Sequence, residues 1–299
     1  MPFEKSQSPF STHSPFSGTG RHDEALKAWP NDLPGLMVAI QNLLIYDVVA
    51  KPFYGVDLSL ERQMDIHLRR VEDILDRAFG ISTAPLTEPR PPRDRIAARC
   101  NNFGLLLLGA LRQRGIAARA RVGFADYFNS GKHEDHWVVE YRDPNSGVWR
   151  YADPQFDTVW RERLAISHDI ADLPRDRFLT ASEVWRACRE GRIDPTRAGI
   201  SHANLYGLSF VAGSLVRDMA ALNKVEMLPW DVWGAMPPPD AALSLDQLGY
   251  FDDLAELLSD PDATLDTILR RYSGDDGLKV GETVFNALLR KTEKVPHNG

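Results

Sequence analysis

The chain is poor in cysteine, in long apolar runs and in positive charge, and each shortage removes a class of protein. Two cysteines in 299 residues, Cys100 and Cys188, exclude a disulfide framework and suit a reducing compartment. The longest apolar run, Phe103 to Leu111, falls well short of the ~20 residues that cross a bilayer. Met1 to Phe10 has no signal-peptide stretch, so a cytoplasmic protein with no membrane partner is expected. A net charge of −7 argues against a nucleic-acid partner. No internal repeat and no glycine-rich phosphate loop are present. What is there is a chain of 43% hydrophobic residues, long enough for one large or two ordinary domains.

The most informative stretch runs from Arg99 to Asp157. Cys100 precedes the apolar run Phe103 to Leu111, which Arg112 to Arg114 close and Gly115 ends, so a buried helix with the cysteine on its first turn is predicted. A thiol there meets the positive end of the helix dipole and unpaired N–H groups, and Arg99 adds to both, which favours a nucleophilic thiolate. After Gly115, the residues Ala118, Ala120, Val122 and Phe124 alternate with Arg119, Arg121 and Gly123, as in a strand with one buried face. His136–Asp143 and Val148–Asp153 then flank Pro144-Asn145-Ser146-Gly147, which predicts an antiparallel hairpin. Pairing Asp143 with Val148 sets Asp153 diagonal to His136, and pairing Asp143 with Ser146 sets them opposite. Either register brings imidazole and carboxylate within cross-strand reach, because side chains alternate along a strand. Cysteine, histidine and an orienting carboxylate are the thiol form of a nucleophile, base and orienter set.

These segments resemble the catalytic core of the transglutaminase-like superfamily, whose members carry Cys, His and Asp in that order on helix, strand and strand. The resemblance rests on the cysteine opening an apolar helix, on Leu111-Arg-Gln-Arg-Gly-Ile-Ala-Ala-Arg119, on Asp135-His136-Trp137 and on Trp149-Arg-Tyr-Ala-Asp153, about sixty residues in all. Ala98 and Ala117 depart from the glycine and proline usual in the family. The Asp-His-Trp spacing resembles a bacterial subgroup and favours His136 over His133 as the base. The resemblance implies catalysis by Cys100, His136 and Asp153, with neither cofactor nor metal. The substrate would be a peptide or a small-molecule amide or acyl compound.

Each residue also has a plainer reading. Cys188 reads as a small buried hydrophobe. His133 and His136 form a His-x-x-His pair, but positions three apart on a strand point to opposite faces, which is poor zinc geometry. Asp157 is the obvious substitute for Asp153. Gln41 is either a side-chain donor to an oxyanion or a hydrogen-bonded core amide, and Asn102 and Trp137 are candidate substrate contacts. Residues 89–121 hold eight arginines against Asp94 alone, +7 locally against −14 for the remainder. They read as a solvated face paired with the acidic remainder, or as ligands for a substrate anion.

Residues 1–22, rich in Ser, Pro, Thr and Gly, are expected to be a disordered leader. Residues 23–92 are read as a helical segment, with one buried helix over 35–50 and an amphipathic one over 60–79 ended by Gly80. Residues 93–160 form the catalytic core, and 161–299 a helical extension packed on it. That extension has a capping box at Thr180-Ala-Ser-Glu183, a helical stripe through Leu205, Leu208, Leu215, Met219 and Leu222, and an Asp260-Pro261 helix start. Its Trp- and Pro-rich loop, Leu228 to Asp240, would either wall a cleft or plug the packing between helices. The expected fold is α+β, with a papain-like core of one buried helix against an antiparallel sheet. The expected reaction is acyl transfer at an amide, ester or thioester carbonyl, as a protease or amidase or as a transglutaminase-type enzyme. The alternative is a peptide-binding module that kept the fold and lost turnover.

Overall fold

Cys100–Gln113 is the helix around which the N-terminal half is built, and nearly every side of it is covered. The computed structural model describes residues 8–128 and 131–296, an α+β fold with mixed sheets. Two compact units divide it: residues up to 120 together with 138–173, and residues 121–137 together with most of the chain from 174 onward.

The first unit contains α1 (Asp23–Lys27), α2 (Leu33–Leu43), β1 (Leu44–Tyr46), α3 (Ala50–Tyr54), α4 (Leu60–Gln63), α5 (Val71–Ile81), β2 (Ile96–Ala98) and α6 (Cys100–Gln113). It also holds the start of β3 (Ala118–Ala125), the end of β4 (His133–Arg142), β5 (Trp149–Ala152) and α7 (Thr158–Leu164). Parallel pairing of β1 and β2 sets Tyr46 level with Ala98, two residues before Cys100. Helices α1, α2 and α5 pack on α6. A Cβ at Gly109 would lie 3.1 Å from the Ser17 carbonyl oxygen, so glycine there is what lets the residues before α1 lie against α6.

Three expectations change here. Residues 8–22 are no leader: Phe10 and Phe16 are buried, Ser17 accepts from the Arg112 guanidinium at 2.9 Å, and Phe16 O accepts from Val71 N at 2.8 Å. Scattered phenylalanines gave that stretch enough apolar area to dock, whereas residues 1–7 lie outside the described residues. The helix expected over 35–50 ends at Leu43, and Leu44-Ile45-Tyr46 pairs as a strand, since an apolar run alone does not distinguish the two. The helix expected over 60–79 is broken: α4 gives way to a 3-10 turn at Met64–His67, and α5 starts at Val71.

The strand β3 is buried on both faces, not one. Its arginines are neutralised in place, Arg119 by Glu140 at 2.7 Å and Arg121 by Asp218 at 2.9 and 3.1 Å. Arg112 and Arg114 donate to main-chain carbonyls, and Arg99 pairs with Asp47 at 2.9 Å. These arginines of the basic stretch are internal fastenings of the fold, not a solvated face.

The second unit holds β6 (Phe178–Thr180), α8 (Ala181–Arg189), β7 (Ala198–Ile200), β8 (Leu205–Tyr206), α9 (Leu208–Leu222), β9 (Asp231–Val232), α10 (Leu245–Leu257), α11 (Pro261–Gly274), β10 (Thr283–Asn286) and β11 (Lys291–Lys294). The stretch expected to be a helical extension therefore carries six strands. Strand β6 pairs antiparallel with β3, β7 parallel with β4, and β9, β10 and β11 make a separate antiparallel sheet. At the crossing of β3 and β6 a Cβ on Gly123 would sit 2.1 Å from Leu179 O, so only glycine fits. The capping box at Thr180 and Glu183 and the Asp260-Pro261 helix start both form. Trp233 is buried and donates to Leu278 O at 3.0 Å, which makes it interior packing of this unit.

The segment boundaries expected at 92/93 and 160/161 do not coincide with the observed division, in which β3 and β4 each contribute to both units. A fragment of residues 23–160 would lose Phe10 and Phe16, the pairing of β6 and β7, and Asp218 opposite Arg121. It is expected to be insoluble or molten, with no sharp transition in circular dichroism melting. A soluble fragment with cooperative melting would show that these partners are dispensable.

Candidate active site

Cys100 is the first residue of α6 and is 7% exposed. Arg99 is the extended residue before it, and the helix begins there because Asn102 Oδ1 accepts from Arg99 N at 2.9 Å. Asn102 Nδ2 also donates to Leu68 O at 3.1 Å, so both ends of this candidate substrate contact are engaged in holding the start of the helix. The Arg99 guanidinium lies over the Tyr46 ring, 5.4 Å from its centroid. Burial first, and then the proximity of Cys100, push the Tyr46 phenol up, with Arg99 opposing, so Tyr46 keeps its proton at neutral pH.

Tyr46 meets Trp160 edge-on at 5.6 Å, and Trp160 meets Phe156 at 5.4 Å and Phe53 at 5.0 Å. This aromatic wall stands in the same unit as Cys100 and borders the loop that follows β5. Gln41, buried on α2, donates to Phe156 O at 3.2 Å, so one of its two amide hydrogens is committed to holding that loop. Asp157 caps α7 by accepting from Trp160 N at 3.1 Å, and it accepts from the Tyr54 hydroxyl at 2.8 Å. The substitute orienter thus has a structural post of its own.

Asp153 is buried just after β5, and its Oδ1 accepts from Gln155 N at 3.2 Å. The β4 to β5 hairpin takes the first of the two predicted registers: Val139 pairs with Ala152, and Asp143 N donates to Val148 O at 2.9 Å. Continued one step, that register sets Asp153 level with Val138, two positions along β4 from His136. In the second unit, His136 is buried and meets Tyr127 and Phe128 edge-on at 6.0 and 5.0 Å. Trp137 is buried on the opposite face of β4 from His136, as alternation requires, and the half-buried His133 shares that face.

Of the residues singled out from sequence, Gln41, Cys100, Asn102 and Asp153 belong to the first unit, and His136 and Trp137 to the second. Among the described residues no group of three or more His, Cys, Asp and Glu side chains is arranged to hold a metal ion. The sequence reading passed over two residues in the first unit. Tyr46, 54 positions before Cys100, carried no spacing signal. Gln155, within the Asp-Pro-Gln-Phe-Asp run, is 2% exposed with no hydrogen-bond partner for either amide atom among the described residues.

Comparison with family models, curated proteins and solved structures finds no match for the chain.

Beside His136 on β4, burial pushes the Asp135 carboxyl up to about 6, with Arg217 and His136 opposing and Glu134 reinforcing. The folded chain therefore holds this proton more tightly than the unfolded chain, whose carboxyl keeps the ordinary value of 3.8. The resulting stability is full below about pH 4 and is lost as pH rises through about 6, on the order of 3 kcal/mol. Urea unfolding between pH 4 and 7 should show this decline in the wild type and a flatter profile in Asp135→Asn. Identical slopes would remove Asp135 as the titrating group.

Proposed function

We propose that the chain is a cysteine-dependent acyl-transfer enzyme of transglutaminase-like type, with Cys100 as nucleophile, His136 as general acid and base, and Asp153 as the orienter of the imidazole. The observation that carries the reading is the placement of Cys100 as the first residue of a 14-residue helix, at the positive end of the helix dipole. The hairpin register, with Asp153 at the end of β5, agrees with it.

In the proposed reaction the Cys100 sulfur attacks the carbonyl carbon of an amide, ester or thioester. A sulfur to carbon bond forms while the carbonyl pair moves onto oxygen, and N–H groups at the start of α6 stabilise that charge. Gln41 is the candidate for an added side-chain donor through its remaining amide hydrogen. Collapse expels the leaving group, which takes its proton from His136. Water or an amine then attacks the thioester, gives its proton to His136 and releases the acyl product with the thiolate restored. Asp153 holds the imidazole tautomer throughout. The substrate is a peptide or a small-molecule acyl compound, and a chain that bound peptide without turnover would keep the fold but lack a reactive Cys100.

The two cysteines provide the test. Burial, with Asp194 adding to it, pushes the Cys188 thiol up to about 11, so at pH 7 it is almost wholly protonated although more accessible than Cys100. Iodoacetamide at pH 7, followed by peptide mass mapping, should modify Cys100 much faster than Cys188. Equal rates, or a faster Cys188, would remove the nucleophile assignment.

The two carboxylates separate in the same way. Asp153→Asn should lower turnover roughly 10³- to 10⁴-fold with the melting temperature retained. Asp157→Ala should cost about 1 kcal/mol of stability through the lost α7 cap, and leave most of the activity. The reverse order would make Asp157 the orienter.

A further inference from the structure

The first unit contains an open groove of about 710 Å³, within the range of about 300 to 1,000 Å³ usual for small-molecule sites. All of its lining residues belong to that unit. Its floor is apolar: Leu36 of α2, Leu111 of α6, Ile116 in the turn after α6 and Tyr141 on β4 are each buried. Its rim is acidic, with Asp32 before α2, Asp143 after β4, and Asp169 and Asp172 on the segment that returns along β5. Leu111 lies toward the end of α6 away from Cys100, about 16 Å along the helix at ~1.5 Å per residue, so the groove is a place of its own.

The walls of the groove are tied to one another. The Tyr141 hydroxyl donates to Ala171 O at 3.1 Å, Leu173 N donates to Tyr151 O at 2.8 Å, and Arg142 N donates to Ala117 O at 2.8 Å. The hairpin thus holds both the returning segment and the turn after α6. Asp32 and Asp169 are fixed by their own turns, where Oδ1 of each accepts a main-chain N–H at 2.8 Å, from Gly35 and from Ala171.

The charge of the rim is not closed. Arg150 is the one cation among the lining residues, and it is engaged by Asp143 at 3.1 Å and by Asp172. Asp32 and Asp169 have no ion-pair partner among the described residues. Four carboxylates against one guanidinium leave the groove at −3. This field reaches the floor: burial first, and then Asp143, Asp172 and Asp169, push the Tyr141 phenol up to about 12, with Arg150 opposing. An occupant that covers the apolar floor and brings positive charge to the rim gains from both.

We propose that this groove binds a small organic cation, a primary ammonium carried on an apolar body. The hydrocarbon lies over Leu36, Leu111, Ile116 and Tyr141, and the ammonium sits at the rim, where Asp32 and Asp169 offer carboxylate oxygens. An anion of the same shape is repelled, and a neutral compound gains only the floor. The proposal is independent of the acyl-transfer reading.

Isothermal titration of the full chain at pH 7.5 tests it, with 2-phenylethylamine and hexylamine as probes and with 2-phenylethanol, 3-phenylpropionate and methylammonium as controls. Saturable one-to-one binding of an amine is expected, with each control at least about tenfold weaker. The paired change Asp32→Asn and Asp169→Asn keeps both turn hydrogen bonds, since asparagine caps as well as aspartate, and removes only charge. It should weaken the amine at least about tenfold and leave 2-phenylethanol unchanged. Melting followed by circular dichroism would show that the protein is folded, and each single variant serves if the paired one is not. Cys100→Ala should bind the amine as the wild type does. Absence of saturable binding by both amines, comparable binding of 2-phenylethanol or 3-phenylpropionate, unchanged amine affinity or an equal loss for amine and alcohol in the aspartate variants, or loss of binding in Cys100→Ala would each overturn the proposal.

Discussion

Everything in the first unit follows from the need to bury α6. Residues 100–112 of this helix are all buried, so it has no solvent face to compensate for its apolar surface. Truncating any one of Leu106, Leu107 or Leu108 to alanine would cost about 2 to 5 kcal/mol, a large part of the total stability of an ordinary domain. The helix also carries Gly104 and Gly109, each unfavourable by about 1 kcal/mol in a helix interior. At Gly109 the close approach of the Ser17 main chain accounts for the glycine. A thiol on the first turn of so constrained a helix has a fixed position, which is what a nucleophile needs and a surface cysteine lacks.

Charge closure is the second constraint. Burying both faces of β3 takes Arg119 and Arg121 out of water, and such guanidinium groups are tolerated only with hydrogen-bonded carboxylates. Glu140 and Asp218 supply them. These two arginines of the basic stretch are thus accounted for by folding.

What was legible in the sequence was what depends on neighbours along the chain. The extent of α6, the strand β3, the β4 to β5 turn with its register, and the caps at Thr180 and Asp260 are written in local periodicity and capping chemistry. What was hidden depends on distant partners. Asp218 lies 97 positions from Arg121, and no local pattern connects them. Leu44-Ile45-Tyr46 becomes a strand because Ile96-Ala97-Ala98 is there to pair with it. Residues 8–22 have the composition of a tail, and only the docking of Phe10 and Phe16 shows otherwise. The candidate residues divide in the same way: Cys100, His136 and Asp153 were singled out from local context, whereas Tyr46 and Gln155 stand out only from burial and contact.

The central claim is a covalent one, that an acyl group resides on Cys100 during turnover. Intact-mass spectrometry of the protein quenched in acid after incubation with a panel of activated acyl esters and peptide amides measures it directly. The account predicts an adduct of the acyl mass on the wild type, mapped to Cys100 and absent from Cys100→Ala. An adduct that persists in Cys100→Ala, or no adduct on a protein that turns the same compounds over, would contradict it.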